Sequence, residues 1–244
     1  MFSQMLFPAE QMLSDYERDG VVRLQQFFSP DEVKRVRQEL GRYTRDIAPR
    51  LAASEVTFEA DGKSARNLWH MEQHSPFFAQ LAHQPEILNV IRPLVHGEPV
   101  NLGVETFSKP ARIGSGVPPH QDNAYFCQHP PDVLTVWVAI DAATEGNGPV
   151  YYARGSHKIG MLPHQASGVK GNSIGLADKF EHTNPVIGLL EPGDALIHHC
   201  QTVHYSGPNR TDHPRCGLLL VYRGEHTKMD PTLKAAYDQA RARA

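Results

Sequence analysis

A histidine and a carboxylate lie two residues apart in the segment Pro118-Pro119-His120-Gln121-Asp122. In an extended strand, residues i and i+2 point to the same face, so this imidazole and this carboxylate can reach one metal ion. A lone His-x-Asp pair occurs often by chance. Iron(II) that activates dioxygen needs two imidazoles and one carboxylate on one face of an octahedron, which leaves three positions open. A second histidine is therefore required.

The segment 193–209 offers three histidines for this role: His198, His199 and His204. A Gly-Asp turn opens a strand there, the strand leads to His204, and a Ser-Gly-Pro-Asn turn follows. In an antiparallel sandwich, this late strand can lie beside the strand that carries His120. These features make His204 the strongest candidate for the second imidazole ligand.

Arg215 follows His204 by eleven residues and precedes an apolar segment. A dicarboxylate co-substrate that chelates iron through its keto-acid end needs a cation at its other end. A guanidinium group suits that role because its planar fork binds a carboxylate through two parallel hydrogen bonds. The spacing thus indicates a site for iron(II) and 2-oxoglutarate, with Arg215 as the anchor of the co-substrate.

Short motifs follow one another in a recognisable order over most of the chain. They are Asp15-Tyr16-Glu17-Arg18-Asp19-Gly20-Val21-Val22, Ser29-Pro30-Asp31-Glu32, Ser108-Lys109-Pro110, His120-Gln121-Asp122, Tyr125-Phe126, Trp137, Asn147-Gly148, Gly155-Ser156-His157-Lys158, Pro192-Gly193-Asp194, His204-Tyr205-Ser206, Pro208-Asn209 and Arg215. In type and order these motifs resemble those of the phytanoyl-CoA dioxygenase family of iron(II)/2-oxoglutarate oxygenases. Several motifs in the right order make coincidence a poor explanation.

The resemblance implies a role for each residue that matches a functional position of the family. The implied iron ligands are His120, Asp122 and His204. The implied contacts to 2-oxoglutarate are Ser206 and Arg215 at its distal carboxylate, with further contacts from Gln121 and Trp137. His198 and His199 lack the Ser-x-x-Asn that follows the later histidine, and they would give the arginine the wrong spacing. His157 belongs to an expected structural turn and is not counted as a ligand.

The resemblance also implies a reaction and its cofactors. Iron(II), 2-oxoglutarate and O2 would together hydroxylate an unactivated C–H bond of a small-molecule metabolite, with release of succinate and CO2. In the halogenases of the family a small residue replaces the carboxylate ligand, so the presence of Asp122 favours hydroxylation. Two alternatives are a non-catalytic cupin-like metal-binding protein, which has no need of Arg215, and a zinc-dependent hydrolase that uses the same His/Asp/His site.

Candidate substrate contacts are polar and aromatic residues near the motifs: Arg112, Asn123, Tyr125, Phe126, Tyr151 and Arg154. The two arginines among them favour a small molecule that carries a carboxylate or another anionic group.

The elements that must position these residues change in character near Pro99. The first 98 residues are predicted to be mainly helical, with helices at 8–19, 76–81 and 85–95 and one that starts in the capping box Ser29-Pro30-Asp31-Glu32. An apolar stripe marks that helix at Val33, Val36, Leu40, Tyr43 and Ile47. Beyond a β-prone run at 21–24, short strands are predicted at 100–107, 133–140, 150–152, 187–190, 195–199 and 216–222.

This order of elements predicts a mainly β fold with flanking helices. The core is expected to be a double-stranded β-helix, the jelly roll of cupin-like proteins, with an N-terminal helical layer. We expect one domain over 1–244, with helical support at 1–98, the core at 99–224 and a tail at 225–244. Residues 231–244 of that tail are predicted to be a polar helix or a frayed end.

Composition limits the remaining classes of protein. A chain of 244 residues, 40% hydrophobic and 21% charged, can bury the core of one large domain. A formal net charge of −3 without basic runs argues against nucleic-acid and membrane-surface binding. No apolar run approaches the roughly 18 residues of a bilayer span, and residues 1–8 lack the features of a signal peptide. The three cysteines, Cys127, Cys200 and Cys216, indicate free thiols. These features predict a cytoplasmic protein whose partner is a small-molecule substrate, and they indicate no oligomeric state.

Overall fold

The computed structural model describes residues 9–169 and 171–242. The α-helices of this part are α1 Ala9–Asp19, α2 Pro30–Asp46, α3 Pro76–Ala82, α4 Pro85–Ile91, α5 Asn123–Phe126 and α6 Pro231–Arg241. Its strands are β1 Val21–Leu24, β2 Val56–Phe58, β3 Ala65–Leu68, β4 Pro99–Lys109, β5 Val117–His120, β6 Gln128–His129, β7 Val133–Ala139, β8 Val150–Tyr152, β9 His164–Val169, β10 Asn172–Leu176, β11 Val186–Ile187, β12 Ala195–His199, β13 His204–Ser206, β14 Arg215–Gly224 and β15 Lys228–Met229. The expected start of the first helix at residue 8, the stretch 1–8 without signal-peptide features and the last two residues of the predicted tail lie outside the described residues.

A large antiparallel sheet forms the centre of the fold, in the strand order β1-β12-β7-β14-β4-β3-β2. Strand β7 is buried along its whole length, because both faces of the sheet are covered there. Leu134 and Val136 belong to the apolar core that includes the helices, whereas Trp137 and Ala139 belong to a second apolar cluster. Because side chains alternate along a strand, the large sheet has an outer face toward the helices and an inner face toward the second cluster.

Helices α1 to α4 cover the outer face. Helix α2 begins with the predicted capping box, in which the Ser29 hydroxyl accepts from the backbone N–H of Glu32 and the Glu32 carboxylate accepts from the backbone N–H of Ser29. The predicted apolar stripe is buried in the core at Val33, Val36, Leu40 and Tyr43. Each Å² of apolar surface removed from water stabilises this layer by roughly 25 cal/mol.

A smaller antiparallel sheet, in the order β11-β8-β13-β5, lies against the inner face. Tyr152 of β8 packs with Trp137 and Leu219 of the large sheet in one apolar cluster. Two facing antiparallel sheets with helices outside them confirm the predicted mainly β, jelly-roll fold. Strand β5 contains Pro118 and Pro119, and it tolerates them because it is the edge of its sheet.

Several elements differ from those predicted. Helix α4 ends earlier than expected, β14 is longer, and the strand expected at 187–190 is the two-residue β11. Strands β2, β3, β6, β9, β10 and β15 were not predicted. Strand β5 is the one expected at His120, the strand expected to lead to His204 is divided into β12 and β13, and most of the tail forms helix α6. Among the described residues, no helix combines the length and the apolar composition that crossing a bilayer requires.

Candidate metal and co-substrate site

A cavity of about 550 Å³ lies between the inner face of the large sheet and the smaller sheet. Its wall includes six of the residues that the sequence indicates: His120, Asp122, Trp137, His204, Ser206 and Arg215. Residues far apart in the chain meet here because β5, β7, β13 and β14 all border the same space.

Strand pairing brings the two candidate histidines together. His204 of β13 lies opposite His120 of β5, and their ring centroids are 4.2 Å apart. Each Nδ1 lies 2.9 Å from the backbone carbonyl oxygen two residues earlier, that of Pro118 for His120 and that of Thr202 for His204. A carbonyl can only accept a hydrogen bond, so each Nδ1 carries the proton and each Nε2 keeps a free lone pair. This tautomer can bind a metal ion through Nε2.

Asp122 reaches the two histidines through a turn. Strand β5 ends at His120, and Asp122 has helical backbone angles, φ −60° and ψ −33°, at the start of α5. The expectation that both side chains share one face of an extended strand is therefore wrong, because the chain leaves the strand after His120. The carboxylate still meets the imidazoles: its Oδ1 lies 3.5 Å from Nε2 of His120 and 3.4 Å from Nε2 of His204.

The second carboxylate oxygen of Asp122 is held by the large sheet. Oδ2 accepts hydrogen bonds from Nε2 of His198 at 2.9 Å and from the Thr135 hydroxyl at 3.0 Å. His198 and Thr135 face each other across β12 and β7. His198, which competes with His204 in the sequence, is therefore a hydrogen-bond partner of Asp122 in the fold.

The ionisation of the cluster suits a metal ion. Burial and the neighbouring His120 lower the pKa of His204 to about 3. Burial opposes charge on Asp122, but interactions with the imidazoles of His204, His120 and His198 outweigh it and hold the pKa of Asp122 well below its usual range. At neutral pH, a neutral imidazole thus lies beside a carboxylate anion. Metal binding requires these protonation states.

The donor set of this cluster fits iron(II). The ligand atoms of His120, Asp122 and His204 all lie within 4.8 Å of one another. Two imidazole nitrogens and one carboxylate oxygen are the protein ligands of non-haem iron oxygenases that bind further ligands at open positions. No fourth histidine, cysteine or carboxylate joins the group in the described part of the chain.

Arg215 lies on the inner face at the start of β14 and is only 2% exposed. Its Nη1 donates to the carbonyl oxygen of Gly148 at 2.7 Å and its Nη2 to that of Phe107 at 3.3 Å. Nε has no hydrogen-bond partner among the described residues. Burial lowers the pKa of Arg215 to about 10, so the guanidinium group stays cationic at neutral pH. A buried positive charge therefore borders the cavity with only backbone carbonyls as its hydrogen-bond partners in the described chain.

Trp137 and Ser206 border the same cavity as this arginine. The Trp137 ring centroid is 5.0 Å from the guanidinium carbon of Arg215. The ring passes over Gly217 on the neighbouring strand, where a Cβ would lie 2.2 Å from an indole carbon. Ser206 follows His204 by two residues on β13, so both side chains lie on the same face and border the cavity.

A contact to the co-substrate would require Gln121 to border the cavity, but the structure places it away from the cavity wall. Its side chain is fully buried. Nε2 donates to the carbonyl oxygens of Gly160 at 2.8 Å and Gln201 at 2.7 Å, and Oε1 accepts from the N–H of Leu162 at 2.8 Å. The amide therefore ties two loops to the end of β5.

Two other histidines, His157 and His199, also lie apart from the cavity wall. The ring of His157 packs 5.3 Å from that of His199, and its Nε2 lies 3.2 Å from the carbonyl oxygen of Glu17. Burial lowers the pKa of His199 to about 4. The structure thus separates His199 from the metal cluster, as the spacing argument expects.

Of the candidate substrate contacts, Tyr125 and Phe126 border the cavity, whereas Asn123 and Tyr151 do not. The two arginines are engaged elsewhere, Arg112 with Asp212 and Arg154 with Asp19. The expectation of an anionic substrate, which depends on these arginines, therefore loses its basis. The residues on the wall that sequence reasoning missed include Trp69, His70, Glu105 and Thr135. Of these, Glu105 and Thr135 are placed there by strand register.

Known proteins share these features. The phytanoyl-CoA dioxygenase (PhyH) family model matches residues 16–217. Ectoine dioxygenase of Sphingopyxis alaskensis is 26% identical over 235 residues, which cover 88% of this chain and 76% of that protein. L-proline trans-4-hydroxylase of Streptomyces griseoviridis is 25% identical over 228 residues, which cover 85% of this chain and 83% of that protein.

A solved structure gives the same fold. The crystal structure of EctD from S. alaskensis with 2-oxoglutarate and 5-hydroxyectoine matches with a TM-score of 0.77 at 22% identity. The match covers 94% of this chain and 85% of that one. At this level of identity the likeness shows a shared architecture.

Proposed function

The chain belongs to the phytanoyl-CoA dioxygenase family, and from that membership we propose that it hydroxylates an unactivated C–H bond of a small molecule. It is an iron(II)/2-oxoglutarate-dependent dioxygenase, which consumes O2 and releases succinate and CO2. The proposed iron ligands are His120, Asp122 and His204. The proposed contacts to 2-oxoglutarate are Arg215 and Ser206 at the distal carboxylate, with Trp137 beside them.

The residues of the chain have the task of orienting and enclosing the reactants. Bound iron supplies the activation of dioxygen, which no side chain can provide. Backbone carbonyls keep Nε2 of His120 and His204 free, and the large sheet fixes the carboxylate of Asp122. Arg215 would hold one end of the co-substrate and so fix its other end relative to the metal. Hydroxylation of a C–H bond then needs no side-chain acid or base.

The observation that carries this proposal is the buried cation of Arg215 in the same cavity as the His/Asp/His cluster. A buried charge is costly unless an anion meets it, and the distal carboxylate of 2-oxoglutarate is such an anion. A metal-binding protein without activity would have no use for that cation, and succinate formation that depends on O2 separates the oxygenase from a zinc hydrolase.

The names of the relatives extend the proposal to the kind of substrate. Ectoine dioxygenase and L-proline trans-4-hydroxylase are named for small molecules, and we propose a small-molecule substrate for this chain as well. Because its composition has no basic run and its cysteines are free, we further propose a cytoplasmic location without nucleic-acid or membrane partners.

The test is an anaerobic titration of the iron(II)-loaded protein with 2-oxoglutarate, followed by the metal-to-ligand charge-transfer absorption of the chelate. Arg215→Leu should leave iron binding intact but weaken 2-oxoglutarate binding by about 2 to 5 kcal/mol, which is roughly 30-fold or more. Arg215→Lys should lie between, because lysine keeps the charge but loses the fork. Arg210→Leu, at an exposed position on the preceding loop, is the matched control.

The outcomes separate two failures. A wild-type protein that shows no charge-transfer band contradicts the oxygenase function itself. A band whose dependence on 2-oxoglutarate is unchanged in Arg215→Leu would mean that another residue anchors the co-substrate.

A further inference from the structure

Glu105 is a buried carboxyl group on the cavity wall that the proposed chemistry does not use. It lies on the inner face of β4, opposite Leu219 of β14, which in turn lies opposite Trp137 of β7. Glu105 is 9% exposed, and no described residue donates a hydrogen bond to its carboxyl group. Burial raises the pKa of Glu105 to about 8, although the nearby His70 acts in the opposite direction. Acidic residues are rarely buried without a hydrogen-bond partner. The described chain supplies none for Glu105, so a bound ligand is the expected partner.

Two aromatic rings border the same cavity wall as this carboxyl group. Phe107 follows Glu105 by two residues on the same face of β4, and its ring meets that of Trp69 edge-on with centroids 5.3 Å apart. Both rings border the cavity. An aromatic face attracts a cation electrostatically, and it does so most strongly where water is excluded. A carboxyl group flanked by such rings is an environment suited to an ammonium or amidinium group.

The nearby His70 attracts Glu105 electrostatically, but its hydrogen-bond partner is Glu72. Its Nδ1 lies 3.4 Å from the carboxylate of Glu72, which raises the pKa of His70 and engages that ring. Within the described part of the chain, the acidic residues of the cavity wall are Asp122 and Glu105. With Asp122 assigned to iron and Arg215 to 2-oxoglutarate, Glu105 is the acidic group left for the substrate.

We propose that Glu105, with the rings of Trp69 and Phe107, binds a positively charged nitrogen of the substrate. The substrate class is then a small molecule with an ammonium or amidinium group, in place of the anionic molecule expected from the sequence. This inference rests on the proposed function, since it takes Asp122 and Arg215 to be occupied. An ion pair with Glu105 would orient the substrate so that one C–H bond faces the metal cluster.

The test uses the protein loaded anaerobically with iron(II) and 2-oxoglutarate, whose charge-transfer band responds when a molecule binds beside the metal. The probes are amines paired with neutral molecules of similar shape: cyclohexylamine and cyclohexanol, piperidine and tetrahydropyran, benzamidine and benzamide. We expect the charged member of at least one pair to perturb the band at a concentration roughly tenfold lower than its neutral partner. Glu105→Gln should reduce this preference to less than about threefold, because it keeps the shape and removes the charge.

Two measurements guard against a trivial result. Glu191→Gln, at an exposed glutamate, should keep the wild-type preference. The unfolding temperature of Glu105→Gln shows whether that variant is folded, and its 2-oxoglutarate titration shows whether the co-substrate site is intact. If Glu105→Gln weakens 2-oxoglutarate binding as much as amine binding, the carboxyl group serves the co-substrate and the inference is overturned.

Two further outcomes would also overturn it. One is that neutral molecules perturb the wild-type band as readily as the amines, and the other is that no amine perturbs it at all. A wild-type protein that forms no band contradicts the proposed function, and the inference falls with it. A band that forms normally but shows no preference for charge contradicts the inference alone.

Discussion

Single hydrogen bonds determine which atoms of the cluster remain free for a ligand. The carbonyl oxygens of Pro118 and Thr202 fix the ring tautomers of His120 and His204. The large sheet uses one oxygen of Asp122 and leaves the other beside both Nε2 atoms. The three ligand atoms are therefore oriented before any ion arrives, which reduces the ordering that binding must produce.

The hydrogen bonds to Asp122 lead to a first prediction. His198→Phe and Thr135→Val each remove one hydrogen-bond donor to Oδ2 of Asp122 and leave all three proposed ligand residues unchanged. The carboxylate gains freedom to rotate, so we expect iron(II) affinity to fall by roughly 10-fold or more in each variant. Competition with a chromophoric chelator measures this affinity. His213→Phe, at an exposed histidine, should bind like wild type, and unchanged affinity in both sheet variants would contradict the positioning role.

Glu105 should make the metal-free protein less stable as the pH rises. Its pKa is about 8 in the folded state, whereas in the unfolded chain it takes the ordinary value near 4.3. Between these two values the folded state keeps a proton that the unfolded state has released. The contribution of Glu105 to stability is therefore full below about pH 4 and is lost as the pH rises through about 8.

Urea unfolding in the presence of a chelator tests this dependence. Between pH 5 and pH 8, the free energy of unfolding should fall further in wild type than in Glu105→Gln, by on the order of 2 kcal/mol. Glu191→Gln should follow the wild-type slope. Parallel slopes for wild type and Glu105→Gln would show that another group balances the buried carboxyl.

At the level of strands, each sheet contributes a different part of the candidate site. The smaller sheet carries both imidazoles on neighbouring strands β5 and β13. The large sheet holds Asp122 through β7 and β12 and supplies Arg215 from β14. Strand β7 also carries Trp137, whose ring needs the space above a glycine on β14. The register between β7 and β14 thus determines the surroundings of the proposed co-substrate anchor.

Gly217→Ala tests this dependence on register. The new methyl group would lie 2.2 Å from the Trp137 ring, so the ring must move from its place beside Arg215. We expect a loss of roughly 1 to 3 kcal/mol in the free energy of unfolding, together with weaker 2-oxoglutarate binding. Gly207→Ala is the matched control, because no atom lies within 4 Å of a Cβ at that position. If Gly217→Ala were as stable as wild type, the backbone of β14 would have shifted to make room for the methyl group, and the Trp137 ring would have stayed in place.

The strands that could be predicted from the sequence are those whose own residues determine them. Strands β7 and β12 are mainly apolar, and their predicted bounds agree with the structure to within one residue. The strand expected at His120 is β5, which accepts Pro118 and Pro119 because it is the edge of its sheet. Strands β2 and β3 are short and partly polar; β3 pairs with β4, and β2 pairs with β3. Their existence depends on a neighbour that is distant in the chain.

The same distinction applies to the candidate site. The proximity of His120, Asp122 and His204 could be predicted from residue types, turn signals and the family resemblance. The partners of Asp122 could not, because they depend on the register of β12 against β7. Glu105 has no motif around it, and its place on the inner face follows only from its pairing with β14.

The whole molecule is layered, with helices on the outer face of the large sheet and the candidate site on the inner face. The helices cover one face of the large sheet and the smaller sheet covers the other, so β7 is buried along its whole length and has little freedom to move. The smaller sheet is joined to the large one through a compact apolar cluster and through the polar contacts of the site. A metal ion at the cluster would add a bond between the two sheets.

This link predicts that metal binding stabilises the entire fold. A ligand that binds only the folded state at 100 times its Kd adds about 2.7 kcal/mol, which corresponds to roughly 5 to 10 °C in Tm for a chain of this size. Manganese(II), which lacks the air sensitivity of iron(II), should produce such a rise in wild type and not in His204→Ala or Asp122→Ala. Added 2-oxoglutarate should raise Tm further only when the metal is present, and less in Arg215→Leu. Scanning fluorimetry measures these shifts, and a full rise in His204→Ala would place the metal elsewhere in the molecule.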